Sequence, residues 1–227
     1  MAEPRQVSLP GGVVVEIRDP RHQQLIWLRG KYYEPKMLEY IRAHYQGGVF
    51  IDGGACIGNH TLFFARFCAN YVIAIEPEPG NIARLRRNLE LSKLSHKVAV
   101  IPAAISDKPG RGALRRAGFK KSTGTFELID GDDVPVLTLD NILYTANIGF
   151  LPVTLLKLDV QGSEMAALRG ARGLLERHRP ALFIELMTAA EIALADSFLR
   201  EFGYKRGRCF NVSPTYEYTH TGEDYAR

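Results

Sequence analysis

Residues 49–61, VFIDGGACIGNHT, constrain this chain more than any other stretch. A run of β-forming apolar residues, Val49, Phe50 and Ile51, closes on Asp52, breaks into glycines and restarts with helix-compatible residues. Strand, loop and helix in that order are how an α/β fold brings bare backbone up to a nucleoside-containing ligand. Gly53, Gly54 and Gly58 lack Cβ atoms, so the loop is free to take positive φ and lie close to what it binds. The strand is apolar on both faces, the pattern of a central parallel strand covered by helices.

Charge decides which nucleoside. A dinucleotide loop reads Gly-x-Gly-x-x-Gly, its second glycine admitting a pyrophosphate. Here Ala55 fills that slot between Gly53 and Gly58, and Asp52 stands at the strand tip, where it repels phosphate. S-adenosylmethionine (SAM) reverses the argument: it has no phosphate, a cationic sulfonium and an ammonium group, so an acid beside the loop attracts it. About twenty residues on, residues 71–76 (YVIAIE) predict a second strand ending in Glu76, placed to accept both ribose hydroxyls. The plainer reading, a glycine turn and a chance acid, leaves unexplained two neighbouring strands that each close on a carboxylate.

At 227 residues the chain is expected to form one domain around one core, and 46% apolar with 24% charged residues is ordinary for a globular protein. No run is long and apolar enough to span a bilayer, and the opening MAEPRQVSLPGG lacks the apolar centre of a signal peptide. Cys56, Cys68 and Cys209 are odd in number and scattered, which predicts reduced thiols, a cytoplasmic location and no metal site. A net charge of +4 permits an anionic partner without requiring one.

In chain order, residues 1–47 read as a hairpin turning at Pro10, Gly11 and Gly12, then a lid helix over 33–45 with Met37, Leu38 and Ile41 on one face. Tyr33 and Glu34 are within reach of the ligand in that arrangement, set against a solvated helix start for Glu34. Residues 48–186 form the cofactor-binding core. In it, Asn59 and Thr61 are expected to cap the helix after the glycine loop, and His60 is either a substrate contact or a surface residue. Pro77 and Pro79 delay the next helix to about Asn81. Residues 97–105 predict a third strand, after which Ala104, Ile105 and Ser106 border an adenine, with Asp107 also explicable as a turn former. Residues 108–133 form a basic excursion off the sheet, where Lys121 and Thr123 are candidates for holding a phosphate or carboxylate on the acceptor, and a solvated loop is the equal alternative. Residues 134–139 predict a strand with Asp140 as a helix cap. Residues 187–227 predict a helix opened by the capping box of Thr188 and Glu191, then an antiparallel hairpin.

The second informative stretch is 154–164, TLLKLDVQGSE. A buried strand carries Lys157 and Asp159 on one face by alternation. Charges inside a central strand are costly unless paired or at a site, and the carboxyl end of such a strand is where open α/β sheets bind ligands. Asp159 and Glu164 are the general-base candidates, Lys157 lines the site or pairs with Asp159, and Glu164 has the alternative of facing its helix dipole.

These segments, with YYEPKMLEYI, VIAIEPEPGNIARLRRNL, PAAISDKPG, VPVLTLDNIL and PALFIEL, resemble the FkbM-type methyltransferases, a branch of the SAM-dependent class I methyltransferases, over roughly residues 32–186. The resemblance implies a Rossmann-like sandwich on a mostly parallel seven-stranded sheet, with SAM at its carboxyl edge, and O-methylation of a sugar or other small acceptor. It carries Asp52, Gly54, Ala55, Gly58 and Thr61 onto the SAM loop, with Gly53 and Asn59 beside them. Glu76, Pro77 and Asn81 fall on the ribose segment, and Asp159, Gly162 and Glu164 on the motif after the fourth strand. Two positions depart from the family. Gln161, a candidate substrate contact, stands where an acid is usual, which weakens any two-carboxylate or metal-assisted mechanism, and Cys56 replaces the commoner Asn. The expected partner is a small-molecule acceptor, a sugar or an anion, with neither membrane nor nucleic acid. The competing readings are an NAD(P)-dependent oxidoreductase and a non-catalytic module binding SAM or anions, the latter contacting nucleic acid through 111–121.

Overall fold

The computed structural model describes residues 4–18, 23–116, 126–146 and 151–222. Strands β1 (Arg5–Leu9) and β2 (Val13–Ile17) form the expected hairpin through a tight turn at Pro10–Gly12. Helices α1 (Gln23–Trp27) and α2 (Pro35–His44) follow. The alternating part of the chain then runs β3 (Val49–Gly53), α3 (Asn59–Phe67), β4 (Tyr71–Ile75), α4 (Pro79–Leu91) and β5 (Val98–Ile101). Next come β6 (Ala104–Ile105), β7 (Gly110–Arg116), β8 (Phe126–Leu137) and α5 (Leu139–Ala146). The chain returns to the sheet at β9 (Val153–Leu158), continues through α6 (Glu164–Arg169), α7 (Arg172–His178), β10 (Ala181–Glu185) and α8 (Ala189–Arg200), and closes with β11 (Tyr204–Phe210) and β12 (Thr215–His220).

Seven strands make one sheet in the order β11-β12-β10-β9-β3-β4-β5. Every pairing from β10 to β5 is parallel, and β12 enters antiparallel between β10 and β11. The order reverses at β3, between β4 and β9, so the tips of β3, β4 and β9 converge where doubly wound sheets bind ligands.

Alternation sorts the side chains between two cores. Phe50, Val72, Ala74, Leu155 and Phe183 face one layer, packing on α2, α3, α4 and the β1–β2 hairpin. Val49, Ile51, Ile73, Leu156 and Leu182 face the other, against α5, α6, α7 and α8. Burial on both faces explains the near-continuous apolar reading of these strands.

Four local expectations change. The third strand stops at Ile101, because Pro102 has no N–H to offer a ladder; Ala104 and Ile105 pair instead with β8, beside β7, in a separate three-stranded sheet. Helix α4 begins at Pro79, which suits a first helical position, and the Glu78 side chain caps it by accepting from Asn81 N at 2.6 Å. The strand expected at 134–139 is the end of the twelve-residue β8, which also supplies the returning strand of the excursion. Asp140 does not cap its own helix: Thr138 Oγ1 accepts from Asn141 N, while the Asp140 carboxylate accepts from Gly173 N and Leu174 N in α7. The capping box at Thr188 and Glu191 forms as expected.

Candidate active site

The glycine loop leaves β3 by a turn that only glycine fits. Gly54 has φ +79°, and a Cβ there would stand 1.8 Å from the carbonyl oxygen of Asp159. This contact seats the loop against the tip of β9. The loop's amides are already committed. Gly54 N and Ala55 N both donate to Ile75 O at 3.0 Å, Cys56 N donates to Glu76 Oε2 at 2.8 Å, and Gly58 N donates to Ala55 O at 2.9 Å. A phosphate at this turn would find these four donors spent, unlike a glycine-rich phosphate cradle.

Asp52 and Lys157 are directly opposed in the β3–β9 register. Their side chains are almost wholly buried, with Lys157 Nζ 3.3 Å from Asp52 Oδ1 and 3.7 Å from Asp159 Oδ2. Burial works against the ammonium, but Asp52 and Asp159 outweigh it and hold the Lys157 pKa well above its ordinary value. The other oxygen of Asp52 accepts from Thr61 Oγ1 at 2.6 Å. The expected capping role of Thr61 is thereby replaced by a tie from α3 to the strand tip, and Asp52 is enclosed, its charge directed at Lys157.

Glu76, 6% exposed, holds the second strand tip. Oε2 accepts from Cys56 N, and Oε1 from Glu78 N at 3.0 Å and Asn81 Nδ2 at 3.2 Å, so this carboxylate joins the glycine loop to the start of α4. Burial raises its pKa above the usual carboxylate value, against the pull of those hydrogen bonds. Burial and the charge of Glu76 push the Cys56 thiol up to about 12, so it is not a nucleophile near neutrality. Ile105 flanks the same loop: its Cδ1 lies 3.1 Å from where a Cβ on Gly53 would stand. Ala104 is buried, and Ser106 N donates to Leu137 O at 3.0 Å.

At the third tip, Asp159 is a third exposed. Burial opposes ionisation there, but Lys157 and hydrogen bonds, including one from Gln161, bring its pKa below the ordinary carboxylate value. Gln161 Nε2 donates to Asp159 Oδ1 at 2.6 Å and to Glu185 Oε2 at 3.2 Å. Glu185, at the end of β10, was not among the residues expected at the site; its only sequence signal is a buried strand closing on an acid. Glu164 is 6% exposed and folds back on its own turn, with Oε1 accepting from Val160 N and Oε2 from Gly162 N, each at 2.9 Å. Its oxygens are engaged in shaping the loop, whereas Asp159 keeps an exposed edge.

The N-terminal layer completes the site. Asn59 does not cap α3. Its Oδ1 accepts from Trp27 Nε1 at 3.0 Å and Tyr33 N at 2.9 Å, and its Nδ2 donates to Tyr33 O at 3.0 Å. That pins the segment before α2 to the glycine-loop helix. His60 is buried, not at the surface, and its Nε2 lies 2.9 Å from Glu34 Oε2. Glu34 is therefore drawn inward from the solvated position open to it in the sequence, and φ +57° at this residue makes the turn. The Tyr33 hydroxyl is pushed up to about 12 by burial first and then by the charges of Glu34, Asp159 and Glu185. Lys121 and Thr123 lie outside the described residues. Among the described residues no cluster of His, Cys, Asp or Glu is arranged to hold a metal ion, and no helix is long and apolar enough to cross a membrane.

Solved structures share this architecture. A methyltransferase FkbM from Methylobacillus flagellatus is 21% identical, with a TM-score of 0.52, over 77% of this chain and 44% of that one. The present chain thus spans less than half the length of that protein. A putative rRNA methylase from Clostridium thermocellum is 11% identical, with a TM-score of 0.53, over 82% and 93% of the two chains. The putative methyltransferase YhhF from Escherichia coli is 12% identical, with a TM-score of 0.54, over 96% and 100%. At these identities the likeness is one of fold. Comparison with curated proteins gives no match. The methyltransferase FkbM domain model matches residues 52–206, more than half of the chain and including all three strand tips, and the protein belongs to that methyltransferase family.

Proposed function

We propose that this protein is a SAM-dependent methyltransferase that methylates a hydroxyl on a sugar or other small acceptor. The observation that carries the reading is the state of the glycine loop: the amides at 54, 55, 56 and 58 are spent within the protein, and carboxylates stand at the neighbouring tips. Such a rim suits a cationic, phosphate-free nucleoside and opposes the pyrophosphate of NAD(P).

Glu76 would take the ribose, with Asn81 and Pro77 beside it; Gly53, Gly54, Ala55 and Gly58 would face the amino-acid portion, and Ala104, Ile105 and Ser106 the base. Bound there, SAM supplies a methyl group made electrophilic by its cationic sulfur. Asp159 is the base, because its carboxylate is ionised and partly open while the oxygens of Glu164 are bonded to backbone. It takes the proton that the acceptor hydroxyl gives up as the oxygen gains the methyl. Holding the hydroxyl between Asp159, His60 and Tyr33 supplies the orientation on which such a transfer depends.

The acids Glu34 and Asp159 favour an uncharged, hydroxyl-rich acceptor over an anion, and they repel a nucleic-acid backbone. Arg111 and Arg115 on the excursion are paired with Asp132 and Glu127, which tempers any basic surface there. Three free thiols fit a reducing, cytoplasmic setting. Titration calorimetry with S-adenosylhomocysteine and with NADH tests the reading: the former is expected to bind and the latter not. Binding of NADH alone would overturn it, and binding without methyl transfer to any hydroxylated compound would leave a non-catalytic module.

A further inference from the structure

Gln161 is one of the non-glycine residues at positive φ, +53°, a conformation that persists only where its surroundings impose it. What that conformation accompanies is a strap. One amide nitrogen, Gln161 Nε2, donates to Asp159 Oδ1 at 2.6 Å and to Glu185 Oε2 at 3.2 Å, joining the tips of β9 and β10. The two carboxyls are not equivalent. Asp159 has Lys157 Nζ at 3.7 Å, whereas among the described residues no lysine, arginine or histidine forms an ion pair with Glu185. The other charged or titratable groups around them are Asp52 on β3, His60 on α3, Glu164 on α6, and Tyr33 and Glu34 from the N-terminal layer.

We infer that Glu185 is a positioning residue of the acceptor site: strapped to Asp159 through Gln161, it carries the single proton of a carboxyl pair, so that Asp159 alone is ionised and aimed at the acceptor. Two carboxylates held this close by one amide nitrogen repel each other when both are charged, and Lys157 beside Asp159 decides which of them gives up its proton. Burial first and the charge of Asp159 second push Glu185 up to about 8, in the same sense. Once Glu185 ionises, repulsion between the two carboxylates turns Asp159 away from its set position. The base therefore works below that point and loses its orientation above it. The inference rests on the methyl-transfer reading for what Asp159 does, but not for how the pair shares its proton.

The test is a carboxyl ¹³C NMR titration of the full chain, labelled at Asp and Glu, from about pH 3 to about pH 10, with the two signals assigned by Asp159→Asn and Glu185→Gln. In the wild type, Glu185 is expected to titrate near 8 and Asp159 below the usual carboxylate range, with the Asp159 signal moving a second time as Glu185 ionises. Gln161→Ala should draw the two midpoints together by about one pH unit or more. Glu185→Gln should leave Asp159 with a single step. Unaltered midpoints in Gln161→Ala, or a Glu185 that titrates with ordinary glutamates, would overturn the inference. If Gln161→Ala does not fold, the wild-type titration and Glu185→Gln decide it. Calorimetry with S-adenosylhomocysteine on the same samples separates the two ideas: a coupled pair without nucleoside binding sinks the methyl-transfer reading alone.

Discussion

Lys157 sits inside the sheet, 2% exposed, because Asp52 lies opposite it and the carbonyls of Gly53 and Gly54 are at 3.4 and 3.3 Å. Removing one member of such a pair leaves an uncompensated buried charge, so Lys157→Met is expected to cost about 3–5 kcal/mol in urea unfolding. Combining it with Asp52→Asn should restore part of that loss. The sign with pH follows: Lys157 is raised in the folded state, so its contribution is whole below the free lysine value of 10.5 and is lost as pH rises through the higher folded value. Glu185 is raised from 4.5 to about 8, so in that window the folded chain holds a proton that the unfolded chain has released. The contribution of Glu185 to stability therefore falls as pH rises from 4.5 to about 8, and Glu185→Gln should remove that component from melting temperature measured against pH. At this scale the sequence made Asp52, Glu76, Asp159 and Lys157 visible, because an acid at a strand tip or a lysine within an apolar run is conspicuous by position alone. Glu185 was not legible as a site residue. Its meaning depends on Gln161 crossing from one strand tip to the next, and on a hydrogen bond that has no spacing rule.

Among the elements, periodicity marks the strands and the acids that follow mark their tips, because burial on both faces leaves few other ways to arrange such runs. The polar residues at element ends depart from the capping role wherever tertiary structure offers them better partners. Asn59 and Thr61 look like caps, yet they hold the segment before α2 and the carboxylate of Asp52, and Asp140 reaches across to α7. Propensity places such residues near helix starts but does not say whose free donors they serve. The β3–α3 turn has a sharper signature, since Gly54 combines positive φ with backbone contact to Asp159. Gly54→Ala should cost at least about 1–2 kcal/mol from the left-handed conformation alone. The 1.8 Å approach to a carbonyl adds a displacement of the loop from the β9 tip. Weakening of S-adenosylhomocysteine binding by more than about tenfold is expected, which is about 1.4 kcal/mol by calorimetry. Gly162→Ala is the control: its φ is +95°, but nothing lies within 4 Å of the added methyl, so its cost should be confined to the backbone.

Across the whole molecule, the segment read in the sequence as a lid carries a larger share of the core than that word implies. Trp27, Met37, Leu38 and Ile41 are each 0% exposed and share a cluster with Phe50, Phe63 and Phe64. The hairpin is stitched to α4 by Ser92 Oγ, which accepts from Val14 N at 3.1 Å and donates to Val14 O at 2.8 Å, and by Asn88 Oδ1, which accepts from Glu16 N at 2.8 Å. Tyr45, following α2, donates to Glu217 Oε1 on β12 at 2.6 Å, so this layer also grips the far side of the sheet. Full burial of a large apolar side chain contributes about 1.5–3 kcal/mol, and a domain's net stability is only about 5–15 kcal/mol. Losing four such side chains from one cluster, and uncovering the phenylalanines beneath, therefore consumes most or all of that margin. Deleting residues 1–47 should abolish cooperative unfolding by circular dichroism, even though the family match begins only at residue 52. A removable lid would behave otherwise, leaving a truncated chain that melts cooperatively near the full-length temperature and differs only in ligand access. Because Glu34 and Tyr33 are tied to His60 and Asn59 from this same layer, the packing that stabilises the sheet also fixes both residues beside the β3–α3 turn, and the proposed site is not expected to open by swinging the layer away.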